Sequence, residues 1–210
     1  MTILFDLDGT LIDSTEAILE SFHATFKAYG FPSPKDEEIK SLIGHPLDVM
    51  YKELGVQETI VWDIVDAYKE HYREISTQKT ILLPFAKEAV ELASRYARVG
   101  IVTTKTGKYS QILMEHFEIM QYFEVLIGRE HVQNPKPHPE PIEKALEILK
   151  VTKENCWMIG DTRMDMIAAK NAGIKSVGII SEYEPVSELK NHTNIIKNNA
   201  LEGVRTILNM

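Results

Sequence analysis

Two aspartates stand close together near the start of the chain, in the stretch ILFDLDGTLID. Asp6 and Asp8 follow an apolar run, and residues two apart in an extended chain face the same side. Two carboxylates held together repel unless a positive charge lies between or beside them. A hard divalent cation with oxygen ligands removes that repulsion, and Mg²⁺ is the usual one. Gly9 permits a tight bend after the pair, and Thr10 can fix that bend with a local hydrogen bond.

The same D-x-D-G pattern also occurs in solvated turns and in calcium-binding loops. A calcium loop needs a glutamate at its twelfth position, and counting from Asp6 that position is Ala17. The calcium loop is therefore excluded, whereas a solvated turn remains open on this stretch alone.

Two further stretches offer groups that bind phosphate. GIVTTK ends an apolar run with Thr103 and Thr104, whose hydroxyls and backbone N–H groups can hold phosphate oxygens at a strand end. NPKPHPEP sets Lys136 between Pro135 and Pro137, which stiffen the loop and favour a fixed positive charge. The alternatives are threonines chosen for β-propensity and a solvated loop lysine.

A second pair of acids follows another apolar run, in MIGDTRMD. Asp161 comes directly after the run, and Asp165 lies four residues further on. If Thr162 caps a helix, both acids face the crevice near its first turn. Stabilisation of the helix dipole by a first-turn acid is the alternative for Asp165.

The elements that must position these side chains can be predicted from the periodicity of the apolar residues. Short runs that are apolar at consecutive positions fit parallel strands buried on both faces. From residue 85 onward the runs alternate with helical patterns at 85–96, 109–119, 141–150, 164–172 and 200–208. The predicted strands are TILF (2–5), VGIVTT (99–104), FEVLIG (123–128), CWMIG (156–160), SVGII (176–180) and NIIK (194–197).

This alternation predicts the α/β class, with a doubly wound, mainly parallel sheet and right-handed crossovers. Ligands bind at the carboxyl ends of the strands in such sheets, where all four polar stretches lie. Residues 14–80 contain no strand-like run and show helical spacing, so we expect a small all-helical cap domain there. The core domain then comprises residues 1–13 and 81–210. The cap aromatics Phe22, Phe26, Tyr68 and Tyr72 fall on helix faces and are interpreted as core.

Composition restricts the partners of the protein. The net charge of −8 and the spread of acidic residues argue against nucleic acid as a partner. No apolar run approaches the length of a membrane span. The single cysteine, Cys156, has no partner for an internal disulfide, and no leader-like segment precedes the first strand. We therefore expect a cytoplasmic protein that acts on a small molecule, as a monomer or a homodimer.

Taken together, the four stretches resemble the haloacid dehalogenase-like hydrolase superfamily. The resemblance is to its phosphatase branch with a helical cap, and within that branch to phosphoglycolate phosphatase-type members. The chain carries the motifs in order: DLDGT at 6–10, Thr103, Lys136 in a K-P-x-P loop, and GDT at 160–162 with Asp165. Gly44-His45-Pro46 is similar to the G-x-P turn of these caps. Family members often have Asn where this chain has Thr104, and P-G-V where it has Pro84-Phe85-Ala86.

The resemblance implies a Rossmann-like core, a Mg²⁺ cofactor and an aspartyl-phosphate intermediate. It implies that Asp6 is the nucleophile and that Asp8 is the acid and base, with Thr10 holding Asp8 in place. The metal ligands would be Asp6, the backbone carbonyl of Asp8, Asp161, and Asp165 directly or through water. Thr103, Thr104 and Lys136 would neutralise the phosphoryl group. His45 is a candidate for substrate contact, or an ordinary helix-cap histidine.

These expectations describe a Mg²⁺-dependent phosphomonoester hydrolase acting on a small metabolite that resembles phosphoglycolate. An inorganic pyrophosphatase, a sugar-phosphate phosphatase or a nucleotidase on the same scaffold is the alternative among enzymes. The alternative of another class is a regulatory protein that binds phosphate without turnover, against which the intact pair Asp6 and Asp8 speaks.

Overall fold

The computed structural model describes residues 1–210 and contains a six-stranded parallel sheet with helices on both faces. The strand order is β5-β4-β1-β6-β7-β8, so the first strand is central. The strands are β1 (Thr2–Phe5), β4 (Arg98–Val102), β5 (Val125–Ile127), β6 (Cys156–Gly160), β7 (Lys175–Ile179) and β8 (Ile196–Lys197). The predicted α/β class and all six predicted core strands are confirmed.

Helices cover the sheet because its strands are apolar on both sides. Ile3 and Phe5 of β1 pack into one apolar cluster, and Leu4 between them packs into another on the opposite face. The first cluster includes residues of α5 (Ala86–Tyr96), α6 (Gly107–His116) and α10 (Ala200–Leu208). The second includes residues of α7 (Glu140–Leu149) and α8 (Arg163–Ala172), and a short helix, α9 (Val186–Lys190), follows β7.

A third apolar cluster belongs to the helices between the first and second sheet strands. These are α1 (Thr15–Ala28), α2 (Asp36–Lys40), α3 (Leu47–Glu53) and α4 (Val61–Ile75). Phe22 stacks on Tyr51 with ring centroids 4.5 Å apart, and Tyr68 stacks on Tyr72 at 5.6 Å. Phe22, Phe26, Tyr68 and Tyr72 are all buried, as their helical spacing predicted.

Two short strands that the sequence did not reveal connect this helical segment to the sheet. β2 (Ile12–Asp13) and β3 (Ile81–Leu82) pair antiparallel, with Ile12 opposite Leu82. Each strand has two residues, too few for a periodic pattern to show. The pair therefore brings together the two ends of the helical segment. None of the helices is both long enough and apolar enough to cross a membrane.

Candidate active site

The polar residues singled out in the sequence meet at the carboxyl edge of the sheet. β1 is hydrogen-bonded to β4 on one side and to β6 on the other. Asp6, Thr103 and Asp161 each follow one of these three adjacent strands directly. Parallel strands end at the same edge, so this order of strands brings residues far apart in the chain into one crevice.

Three carboxylates form a buried cluster in this crevice. Asp6, Asp161 and Asp165 each offer an oxygen, and these oxygens all lie within 4.8 Å of one another. Asp6 is 4% exposed, and Asp161 and Asp165 are fully buried. Burial raises the pKa of Asp6 to about 6, and Lys136 opposes this shift whereas Asp165 adds to it. The pKa of Asp161 is raised well above its usual value by burial and then by Asp165 and Asp6.

Lys136 supplies the positive charge inside the cluster. Its Nζ lies 2.9 Å from Asp6 Oδ1 and 2.5 Å from Asp165 Oδ1, and it donates to the carbonyl oxygen of Val102 at 3.2 Å. The side chain is only 2% exposed, so it is not a solvated loop lysine. Burial alone would lower the pKa of Lys136, but Asp165 and Asp6 outweigh burial and raise it. Three carboxylates and one ammonium leave the cluster with a formal charge of −2.

Asp165 is engaged on both of its oxygens. Oδ1 faces Lys136, and Oδ2 accepts hydrogen bonds from the backbone N–H of Thr162 at 3.1 Å and from its hydroxyl at 2.8 Å. Thr162 is the N-cap of α8 and forms a capping box with Asp165. Asp165 thus fixes the start of α8 and the direction of the Lys136 ammonium at once.

Thr10 supports a different aspartate from the one that the sequence suggested. Its hydroxyl donates to Asp161 Oδ1 at 3.2 Å, not to Asp8. The sharp turn after Asp8 carries Thr10 across to the end of β6, so the expected link to Asp8 is wrong. Gly9 makes this turn at φ +76, and a Cβ at this position would lie 2.1 Å from Asp161 Oδ2. That Oδ2 is buried and has no hydrogen-bond partner.

Asp8 is held by two residues that the sequence analysis did not single out. Ser14 donates a short hydrogen bond to Asp8 Oδ1, and the Nζ of Lys105 lies 3.0 Å from Asp8 Oδ2. Lys105 also donates to Ser14 Oγ at 3.3 Å. Burial alone would lower the pKa of Lys105, but the Asp8 carboxylate outweighs burial and raises it. The only sequence feature that could have pointed to Lys105 is its position directly after the two threonines of GIVTTK.

The two threonines at the end of β4 differ in what they contact. Thr103 is 4% exposed, and its hydroxyl accepts from the backbone N–H of Lys105 at 3.2 Å. The hydroxyl of Thr104 donates to the carbonyl oxygen of Gly44 at 2.9 Å, in the turn before α3. A Cβ on Gly44 would lie 3.2 Å from the Thr162 methyl group, so this turn packs closely on the crevice. The Thr104 hydroxyl thus bonds to the helical segment rather than to the acids.

A cavity of about 300 Å³ opens between the helical segment and this edge of the sheet. Its lining is largely aromatic and aliphatic on the side of the helices, including Tyr68 and Tyr72, which therefore serve both core and cavity. His45 lies half-buried in the wall, and burial followed by Arg163 lowers its pKa. The other lining residues include Ile18, Ile43, Leu47, Met50, Trp62, Val65, Tyr109 and Arg129, together with Asp8, Thr104 and Lys105.

The fold places a cluster of buried carboxylates at the edge of a doubly wound sheet, and comparison with known proteins gives the family of the chain. The haloacid dehalogenase-like hydrolase family model matches residues 3–179. Pyrophosphatase PpaX of Bacillus cereus (strain B4264) is 32% identical over 182 residues, which are 85% of this chain and 82% of that protein. Pyrophosphatase PpaX of Bacillus mycoides (strain KBAB4) is also 32% identical, with the same coverage.

Solved structures share the fold along nearly the whole chain. A haloacid dehalogenase-like family hydrolase from Streptococcus pneumoniae is 29% identical with a TM-score of 0.86, and the match covers 98% of this chain and 97% of that one. A protein described as a predicted phosphoglycolate phosphatase, from Haemophilus somnus, is similar in fold, with a TM-score of 0.87 at 23% identity over 98% and 96% of the two chains. The chain belongs to the haloacid dehalogenase-like hydrolases and is a phosphatase of that family.

Proposed function

We propose that the protein hydrolyses small phosphorylated metabolites with the help of Mg²⁺, through an aspartyl-phosphate formed on Asp6. The observation that carries this proposal is the buried cluster of Asp6, Asp161 and Asp165 with Lys136 against it. Its formal charge of −2 is costly in a buried site, and a divalent cation offsets it.

The donor set fits Mg²⁺. All available ligands are oxygens, and Asp161 Oδ2 is a buried carboxylate oxygen without a partner, which a cation would satisfy. Asp6, Asp161 and the backbone carbonyl of Asp8 would hold the metal. Asp165 has both oxygens engaged, which supports a contact through water. When bound, the metal supplies positive charge that lets an anionic carboxylate meet an anionic phosphate.

The reaction has two steps, namely transfer of the phosphoryl group to Asp6 and hydrolysis of the resulting aspartyl-phosphate. Asp6 attacks phosphorus, and Asp8 gives a proton to the departing oxygen. Asp8 then takes a proton from the water that releases phosphate from Asp6. Thr103 and Lys136 face the transferring phosphoryl group and neutralise its charge. Lys136 suits this role because its ammonium already touches the Asp6 carboxylate.

We further propose that residues 14–80 act as a cap domain on the core formed by residues 1–13 and 81–210. The helices α1–α4 have their own apolar cluster, which supports a unit that moves as one body. The paired strands β2 and β3 carry both connections and would form the hinge. Closure would exclude bulk water and complete the cavity above Asp8.

The substrate that we propose is a small organic phosphate of the phosphoglycolate kind. The volume of about 300 Å³ and the aromatic and aliphatic wall support an organic leaving group over a bare phosphate ion. Pyrophosphate is the second candidate, since the relatives at 32% identity are named pyrophosphatases. A panel of phosphorylated metabolites that includes pyrophosphate separates the two by their kcat/KM values.

Substitution of the nucleophile tests the mechanism. Asp6→Asn keeps the size of the side chain but removes the attacking charge, so we expect turnover to fall at least about 10³-fold while the fold persists. Wild-type protein in a metal chelator should lose activity similarly and regain it with Mg²⁺. Glu91→Gln, on the distant helix α5, is the matched control and should retain normal activity. Substantial Mg²⁺-dependent turnover by Asp6→Asn would contradict the assignment.

A further inference from the structure

We propose that Lys105 is a second catalytic lysine, which contacts the departing oxygen of the substrate and stabilises the negative charge that develops on it. This inference rests on the proposed function, because it takes Asp8 as the proton donor to that oxygen. It assigns to Lys105 a direct contact with the reacting atoms rather than a structural ion pair.

Each of the two neighbouring aspartates has its own buried lysine. Asp6 is paired with Lys136 at 2.9 Å, and Asp8 is paired with Lys105 at 3.0 Å. The side chains of Lys105 and Asp8 are only 10% and 13% exposed. A buried pair desolvates two charges, and stability alone seldom favours that arrangement. Lys136 lies beside the attacking carboxylate of Asp6, and Lys105 lies beside Asp8, where the leaving group would depart. These are the two places where charge changes during the reaction.

The geometry around Asp8 puts Lys105 within reach of the departing oxygen. That oxygen must come within hydrogen-bond distance of the Asp8 carboxyl to receive its proton. Both Asp8 oxygens are already occupied, one by Ser14 and the other by Lys105. An oxygen that approaches Asp8 therefore enters beside one of these donors. Lys105 lines the cavity where the leaving group would lie, and its ammonium has three N–H donors to share.

The cap contributes to this arrangement through Tyr72. The Nζ of Lys105 lies 4.7 Å from the centroid of the Tyr72 ring, on helix α4. A cation over an aromatic face is attracted to the ring and shielded from water on that side. Because Tyr72 belongs to the helical segment, the ammonium is covered only while that segment lies against the strand ends. The electrostatic interaction between the Lys105 ammonium and the departing oxygen is thus strongest when the cavity is closed.

The chemical step is balanced without any further reactant. A bond forms between an Asp6 oxygen and phosphorus, and the bond between phosphorus and the departing oxygen breaks. The electron pair of that bond stays on the departing oxygen, which takes the proton of Asp8. Lys105 transfers no proton and offsets the charge on this oxygen while the bond is breaking.

A series of aryl phosphates with leaving groups of different basicity tests the proposal. A basic leaving group such as phenol needs the stabilising charge, whereas dinitrophenol departs readily without it. In Lys105→Met we expect kcat/KM for phenyl phosphate to fall about 10- to 100-fold, and that for dinitrophenyl phosphate by less than about threefold. The ratio of the two values does not depend on how much of the variant is folded. Lys108→Met, an exposed lysine on α6, is the matched control and should leave the ratio unchanged.

The Lys105→Met substitution in the Asp8→Asn background shows whether Lys105 contacts the departing oxygen or only orients Asp8. If Lys105 contacts the departing oxygen, Lys105→Met steepens the dependence on leaving-group basicity even when Asp8 has no proton to give. An equal loss for all leaving groups, or no added effect in Asp8→Asn, would overturn the proposal. Failure of the proposed function has a different signature, namely wild-type activity without Mg²⁺ or full activity in Asp6→Asn.

Discussion

At the scale of single residues, Asp161 carries a buried carboxylate oxygen that no protein donor satisfies. Among the described hydrogen bonds, its side chain accepts one, from the Thr10 hydroxyl at 3.2 Å, and its Oδ2 has no partner. Asp165 in contrast accepts from both Thr162 and Lys136. Asp161 Oδ2 is therefore available to a cation, and Thr10, which donates to the other oxygen, orients the carboxylate.

Thr10→Val should weaken Mg²⁺ binding. Valine has nearly the same shape as threonine but cannot donate to Asp161, so the carboxylate loses the contact that orients it. Loss of such a supporting hydrogen bond typically lowers metal affinity about 10-fold. The Mg²⁺ concentration that gives half of the maximal thermal stabilisation measures this without an assay of turnover. Thr10→Ser retains the hydroxyl and should bind Mg²⁺ almost normally, and equal affinities in the two variants would contradict this role.

At the scale of elements, the sheet could be predicted from the sequence because its strands are buried on both faces. Runs such as CWMIG are apolar at every position, and the acid that follows each run must lie at the ligand-binding edge. The sequence alone therefore predicts that Asp6 and Asp161 lie close together. Their closeness depends only on β1 and β6 being neighbours, which the doubly wound topology favours.

The contacts that the sequence did not reveal join distant parts of the chain. Lys105 follows β4, Asp8 follows β1, and Tyr72 lies on α4, so their meeting depends on how the helical segment lies on the sheet. No local pattern encodes that packing. The link from Thr10 to Asp161 was missed for a related reason. A turn at Gly9 with positive φ redirects the chain, and the expected local bond to Asp8 does not form.

Phe85, at the start of α5, holds a backbone conformation that suits glycine. It is the N-cap residue with φ 66 and ψ 10, and its side chain is 52% exposed. A left-handed backbone is unfavourable for any residue with a Cβ. The resemblance to family members with P-G-V at this position agrees with this geometry.

Phe85→Gly should therefore be more stable than Phe85→Ala, by about 0.5–1 kcal/mol. Both variants lose the ring, so their difference isolates the effect of the Cβ on the backbone. Urea unfolding of the two variants measures this difference. At Lys87, within helix α5, the order should reverse, with alanine more stable than glycine by about 1 kcal/mol. If alanine were also the more stable residue at position 85, the strain assigned to Phe85 would be wrong.

At the scale of the whole molecule, the charge of the protein and the charge of its ligand have the same sign. The net charge is −8, and the buried acid cluster with its lysine accounts for a local formal charge of −2 within that total. An anionic phosphate is therefore attracted only within short range of Lys136 and Lys105, and of a metal ion bound as proposed. A cation bound there would stabilise the folded acids and would also make the crevice attractive to phosphate.

The stability of the protein should depend on Mg²⁺ and pH together. Without metal, the pKa of Asp6 is raised to about 6 and that of Asp161 well above its usual value, so the folded state holds protons that the unfolded state releases. The stabilisation by these two groups is complete below about pH 4, which is the pKa of an aspartate in the unfolded chain. It is lost as the pH rises through the pKa values of the folded state, by about 1 kcal/mol per pH unit for each group. A Mg²⁺ ion bound by these carboxylates would replace the protons and offset the cost of burying the charged acids. The rise in Tm caused by Mg²⁺ should therefore be larger at pH 8 than at pH 5, as measured by calorimetry with chelator and with metal.

In Asp161→Asn the rise in Tm should be smaller and should vary less with pH. An equal rise at both pH values in the wild type would mean that these acids do not hold the metal.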